Sequence, residues 1–167
     1  MDIYNGNRLR IEEGIFTLPD GKKRRAVVVH PNGAVVILPI KDGICYLIRQ
    51  WRLAIGQYIL EAPAGTLEPG EDPLATAHRE LIEETGFAAK EMILRGYIFT
   101  TPGFSDEKIF IYEATNLSPS NVYLPDDDEI IELVEVPVQD LFRLIHEGEI
   151  VDAKTIAAIV RCIGRDP

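Results

Sequence analysis

Cysteine is nearly absent: the 167 residues hold two, Cys45 in GICYLI and Cys162 in IVRCIG. Both sit among apolar neighbours, at no metal-ligand spacing and with no disulfide logic, so they read as buried reduced thiols. No apolar run approaches the ~20 residues that span a bilayer, and the opening MDIYNGNRLR lacks the apolar stretch of a secretory signal. The plain expectation is a cytoplasmic protein without a membrane partner. Positive charge is scarce as well. Against 27 Asp and Glu there are 17 Lys and Arg, a formal net charge of -10, which argues against nucleic acid or an anionic membrane as partner. An anionic ligand would have to be attracted by something other than net charge. Histidine is rare too, with His30, His78 and His146 only, and none has a serine or cysteine at recognisable spacing. Nucleophilic catalysis is therefore a poor expectation.

What remains is the composition of a globular protein, 46% hydrophobic, in a chain long enough for one ordinary core. There is no internal repeat and no low-complexity tract. GIFTLPDGKKRRAVVVH reads as a hairpin around Pro19-Asp20-Gly21. From Gly33, GAVVILPI and ICYLIRQWR are strands joined by Asp42-Gly43, and QYILEAPAG is a third. EMILRGYIFT, KIFIYEAT and IIELVEVP continue the strands, while VQDLFRLIHEG and DAKTIAAIVRCI read as helices. Strands interrupted by one helix and closed by two imply an α/β or α+β sheet covered on both faces. A small β-rich unit over 1-32 is expected ahead of a larger one over 33-167.

The interrupting helix carries the most unusual pattern. Asp72-Pro73 is an N-cap followed by a first-turn proline and Gly86 is a stop, so the helix runs about Pro73 to Thr85. With Glu80 at zero, Glu84 falls at about +40° and Glu83 at about -60°, with Leu74, Ala75, His78, Leu81 and Ile82 on the far, core side. Like charges at i,i+4 and anions in a last turn each cost from a few tenths to ~1 kcal/mol. No Lys or Arg is expected in that sector to offset them. Hard divalent cations want convergent oxygen ligands, so metal binding would turn the repulsive trio into a site. The preceding APAGTLEPGE, rich in Gly and Pro, leaves backbone groups free for such a site.

Gly65, five residues, Glu71, seven residues, Arg79-Glu80-Leu81, one residue, Glu83-Glu84, one residue, Gly86-Phe87 resembles a complete Nudix box. The resemblance implies a Mg²⁺-dependent hydrolase of nucleoside diphosphates linked to another group, on an α/β/α sandwich with a mixed sheet, behind a small N-terminal antiparallel β domain. It implies that Glu80, Glu83 and Glu84 face the metal, with two or more Mg²⁺ ions or Mn²⁺ in their place. Ala64 would add a backbone carbonyl, and Arg79 would hold Glu71 or Glu83. Gly65 and Gly86 complete the structural positions. Read by itself, the run DDDE at 126-129 is a solvated loop. In the ADP-ribose pyrophosphatases of this superfamily the equivalent loop reads Asp-Glu-Asp-Glu, its second residue the general base and its fourth a helper at the metal. Asp127 and Glu129 are both candidates for the base, and Glu129 also for the metal.

Several features resemble the ADP-ribose branch in particular: Pro102 within TTPGFSDE, the strand RQWR at Arg49 to Arg52, and GEIVDAKTIAAI. Arg49 and Arg52 are expected on one strand face as a fork for phosphate oxygens. Gly103 and Glu107 are substrate-contact candidates, Glu107 on the terminal ribose or as a brace of its loop, and Trp51 and Phe104 are candidates for an adenine contact, although such aromatics are more often simply packed. The branch also implies a homodimer that exchanges its N-terminal β domain, so that Arg24 or Arg25 contacts substrate across the interface. The expected activity is hydrolysis of ADP-ribose to AMP and ribose 5-phosphate. The alternatives are a pyrophosphatase of a nucleotide-sugar, NADH or dinucleotide, and a non-catalytic ADP-ribose-binding module.

Overall fold

The computed structural model describes residues 1-122 and 131-164. Three antiparallel strands come first, β1 (Asp2–Asn5), β2 (Leu9–Thr17) and β3 (Lys23–Pro31), in the order β1-β2-β3. The β2-β3 hairpin turns where Pro19-Asp20-Gly21 predicts, with Gly21 in the left-handed region at φ 81°. β1 has no sequence signal because all four of its residues are exposed. Its order comes from pairing with β2 and from the Met1 amino group donating to the Glu13 carbonyl at 2.8 Å.

The main sheet contains β4 (Ala34–Lys41), β5 (Ile44–Arg52), β6 (Gln57–Glu61), β7 (Ala64–Thr66), β8 (Phe87–Phe99), β9 (Lys108–Pro119) and β10 (Ile131–Pro137). Its path is β10-β5-β4-β9-β8; β4 and β9 run parallel and the other pairs antiparallel. Asp42 and Gly43 join β4 to β5 with φ of 52° and 78°, the doubly left-handed turn that tight hairpins favour. After only two residue pairs β4 and β5 separate. β6 then continues along β5 from Ile48, and β7 continues along β4 from Ala34 to Val36. QYILEAPAG, read from sequence as one strand, is therefore two. The break falls at Ala62-Pro63, where proline cannot donate to a ladder and the Pro63 carbonyl accepts from Ile37 N at 2.8 Å.

Alternation along β4 divides the core. Val35 and Ile37 pack with Ala77 and Leu81 of α1 (Pro73–Thr85), whereas Val36 and Leu38 pack with Leu141 and Leu144 of α2 (Leu141–His146) and Ala158 and Ile159 of α3 (Ala153–Ile163). One helix on one face and two on the other make the expected α/β/α sandwich with a mixed sheet. Both cysteines are buried in the second core, and burial pushes the Cys45 thiol well up. No described helix is long and apolar enough to cross a membrane.

The helical wheel needs one correction. The buried residues of α1 are Thr76, Ala77, Leu81, Ile82, Glu84 and Thr85, while Leu74 and Ala75 are exposed and His78 is half-buried. α1 packs against β7 as well as β4 and β8, which turns its inner face so that Glu84 goes in and Leu74 comes out. Leu81 is fully buried. Leu81→Ala should cost about 2–5 kcal/mol of unfolding free energy, measurable by urea denaturation; a loss under ~1 kcal/mol would contradict this packing.

Candidate active site

α1 begins where Asp72 Oδ1 accepts from Leu74 N at 3.2 Å, and ends where Gly86, at φ 71°, donates to the Ile82 carbonyl. Within it each glutamate is handled differently. Glu84, 8% exposed, accepts from the Ala64 backbone N–H at 2.9 Å, tying the last turn of α1 to β7. Glu80 lies flat against Gly65: a Cβ built there would sit 2.0 Å from the Glu80 carboxyl carbon. Gly65 has no positive φ, so close approach and not a turn demands glycine there. Glu83 accepts from Arg79 Nη1 at 2.7 Å.

Arg79 is the hub of this face. Its Nη1 is also 2.8 Å from Glu80 Oε1, and its Nε is 3.6 Å from Glu71 Oε1. The expectation that no cation reaches the carboxylate sector is thus overturned, because a helical wheel places Cα atoms and not the end of a long arginine stem. Burial opposes the guanidinium's charge, but the carboxylates of Glu80 and Glu83 outweigh it and raise its pKa. Glu71 is held below the usual carboxylate range, chiefly by the Glu68 backbone N–H, against its own desolvation and helped by Thr76 and Arg79.

Arg79, Glu80, Glu83 and Glu84, with Ala64 and Gly65, form one wall of a cleft of about 940 Å³. The N-terminal sheet also lines it, through Arg10 and His30 of its strands and Arg8 and Asn32 just outside them, as do Arg52 and Ile131. Arg52 is half-buried and pairs with the buried Glu61. Arg49 does not join it. Positions 49 and 52 differ by an odd number and alternate faces along a strand, so Arg49 is exposed alongside Trp51 while Gln50 is buried. The expectation that Arg49 and Arg52 share one strand face is therefore corrected: of the two, Arg52 alone lines the cleft.

Other expected contacts lie outside this cleft lining. Arg25 pairs with Glu13 on the exposed N-terminal sheet, at 2.8 Å, and Gly103 is exposed. Glu107 accepts from Thr100 Oγ1 at 2.6 Å and braces its loop. Phe104 is exposed, and Trp51 packs edge-on against Tyr58. Asp127 and Glu129 lie outside the described residues. Glu61, Asp152 and Lys154 were missed from sequence; the available signal was a lone carboxylate within an otherwise apolar run, YILEA.

A family model for the NUDIX domain matches residues 29-159. The chain belongs to the NUDIX family. It is 39% identical over 160 residues to an ADP-ribose pyrophosphatase of Bacillus subtilis, covering 94% of this chain and 86% of that protein. It is 36% identical over 159 residues to a methanol dehydrogenase activator of Bacillus methanolicus, covering 94% and 86%. A crystal structure of an ADP compounds hydrolase superposes with a TM-score of 0.84 at 25% identity, covering 96% of this chain and 88% of that one. It is therefore a Nudix hydrolase by kinship as well as by its box.

Nudix ADP-ribose pyrophosphatases generally use divalent metals such as Mg²⁺. The donor set here fits such a cation: Glu80, Glu83 and Glu84 offer only hard oxygens and line the cleft together with Ala64 and Gly65. Among the described residues no three His, Cys, Asp or Glu side chains converge on a metal position as they stand; Arg79 engages Glu80 and Glu83 instead. Gly65→Ala must move the Glu80 carboxylate. Activity should fall by about 10²-fold with the circular dichroism spectrum unchanged, and wild-type turnover in that variant would show that the Gly65–Glu80 contact does not matter.

Proposed function

We propose that this Nudix hydrolase cleaves the diphosphate bridge of ADP-ribose, releasing AMP and ribose 5-phosphate. The observation that carries the reading is the complete carboxylate set of the box: Glu80, Glu83 and Glu84 stand with Arg79 on one wall of a cleft large enough for a nucleotide, and Glu71 pairs with Arg79 from outside the lining. The names of relatives at 39% and 34% identity, from Bacillus subtilis and Mycobacterium tuberculosis, support ADP-ribose as substrate. A non-catalytic binding role is less well supported, since no box carboxylate is missing.

In this reading Glu80, Glu83 and Glu84, with the Ala64 carbonyl, hold two or more Mg²⁺ ions, or Mn²⁺ in their place. Bound there, the metal supplies charge neutralisation for the diphosphate and a water made nucleophilic near neutral pH. It also accounts for how a chain of net charge -10 takes up an anion. Arg79 restrains Glu80 and Glu83 and must yield part of that contact when they turn to a cation. Arg52 meets the diphosphate from the side of the cleft. Asp127 or Glu129 takes the proton from the attacking water. Residues 1-32 act as the dimerisation unit and 33-167 as the hydrolase domain, in a homodimer that light scattering at micromolar concentration would reveal; a monomer mass would remove that part.

Products separated by ion exchange after incubation with Mg²⁺ and ADP-ribose, NADH, a nucleotide-sugar or a dinucleotide test the activity. Preferential formation of AMP and ribose 5-phosphate, abolished by EDTA, is expected. Glu84→Gln keeps an acceptor for the Ala64 N–H but loses the charge, so kcat should fall by about 10²-fold or more while the protein stays folded. Preference for another substrate would overturn the ADP-ribose assignment, and undiminished turnover in Glu84→Gln would remove the metal-facing role of that residue.

A further inference from the structure

Glu61, at the end of β6 behind the cleft wall, is 1% exposed. Charge so far from water is costly unless it is paired and hydrogen-bonded, and Glu61 is paired twice. On the cleft side Arg52 Nε lies 3.1 and 2.9 Å from its two oxygens, and Arg52 Nη2 donates to Oε2. On the far side Lys154 Nζ, from the first turn of α3, lies 3.2 Å from Oε1 and 3.0 Å from Asp152 Oδ2. One cation suffices to neutralise one buried carboxylate. This chain supplies two, and balances the second with Asp152.

Lys154 is itself well anchored. Asp152 caps α3, its Oδ2 accepting from Thr155 N at 2.9 Å and from Thr155 Oγ1 at 2.6 Å, and Thr155 Oγ1 in turn accepts from Ala62 N at 2.8 Å. The start of α3 thus grips both the side chain of Glu61 and the backbone beside it. Lys154 divides its charge between Glu61 and Asp152, so Arg52 completes the neutralisation of Glu61, but charge balance alone does not call for the side-on, two-nitrogen geometry that Arg52 adopts. Its Nε and Nη2 are engaged side-on by Glu61, while no described residue takes Nη1. The side chain is 37% exposed, lines the cleft and lies within electrostatic reach of Glu84.

We propose that Glu61 is a positioning residue: braced by Lys154 and the capped start of α3, it locks the Arg52 guanidinium side-on and presents Nη1 to a diphosphate oxygen in the cleft. The proposal rests on the reading of the substrate as a nucleoside diphosphate derivative. A guanidinium held in advance loses less freedom on binding than one that must find its place, and keeps its remaining donors for the ligand. Glu61 contributes through Arg52 and does not touch the substrate.

A double-mutant cycle on the full-length protein tests this, with Glu61→Gln, Arg52→Met and the double variant, their folding checked by circular dichroism and thermal unfolding. KM and kcat for ADP-ribose are measured with Mg²⁺, and Kd for ADP-ribose by calorimetry. Each single variant should raise KM and Kd roughly tenfold, the scale of one charge-assisted hydrogen bond, with kcat changed by no more than about threefold. The double variant should be no worse than Arg52→Met alone, because both act through one contact. Lys154→Met should shift KM and Kd in the same direction by a smaller factor. Additive losses in the double variant would overturn the proposal. So would a Glu61→Gln protein that unfolds at lower temperature yet keeps wild-type KM and Kd, which would leave Glu61 as a structural plug. If Glu61→Gln does not fold, Glu61→Asp, which keeps the charge and shortens its reach, serves in the same cycle with the same criteria. Wild type that binds ADP-ribose without cleaving it would remove the proposed activity alone, since Kd still decides the network; wild type that does not bind it would remove both.

Discussion

Repulsion among three carboxylates within five residues of α1 is the constraint to which the surrounding structure answers. On an exposed helix such repulsion amounts to only ~1 kcal/mol or less per contact. Glu84 is buried, however, and a buried carboxylate without partners is far more costly. Three separate devices meet that cost. The Ala64 N–H holds Glu84, the bare Cα of Gly65 admits Glu80, and the guanidinium of Arg79 lies between Glu80 and Glu83. Two of the three come from β7, so the site requires that β7 lie directly beneath the last turns of α1.

The split of the main sheet makes that placement available. β4 and β5 part after two pairs, and the chain crosses the gap between β6 and β7 in two residues, Ala62 and Pro63. On one side of the crossing Glu61 points to the start of α3; on the other Ala64 points to the end of α1. Helices on opposite faces of the sheet are therefore joined through four consecutive residues. Arg52, paired with Glu61 and close to Glu84, connects the two halves electrostatically.

The N-terminal sheet closes the cleft from above and is tied down at two points. Val29 N donates to the Phe104 carbonyl at 2.8 Å and His30 Nδ1 lies 2.7 Å from Asp106 Oδ2, which link β3 to the loop between β8 and β9. Asn32 holds the β1-β2 turn through the carbonyls of Asn7 and Arg8. A strand as exposed as β1 has little packing of its own, so these polar links do much to keep its turn beside the carboxylate wall.

Local features were legible in the sequence wherever a few neighbouring residues sufficed to set them. Asp72-Pro73 and Gly86 bound α1 at Pro73–Thr85, Asp42-Gly43 turns β4 into β5, and alternation along β4 puts helices on both faces. The spacing from Gly65 to Phe87 identified the family, because hard oxygen donors at fixed helical intervals make a pattern that packing alone does not require. Tertiary structure decided the rest. The burial of Glu84, the reach of Arg79 across its neighbours, the separation of Arg49 from Arg52 and the pairing of Glu61 with Lys154, 93 residues later, depend on where the sheet splits and which helix covers it. Caps, turns and periodicity are properties of neighbouring residues, whereas the partner of a buried charge is whatever the fold brings within 3 Å of it, and no local pattern encodes that.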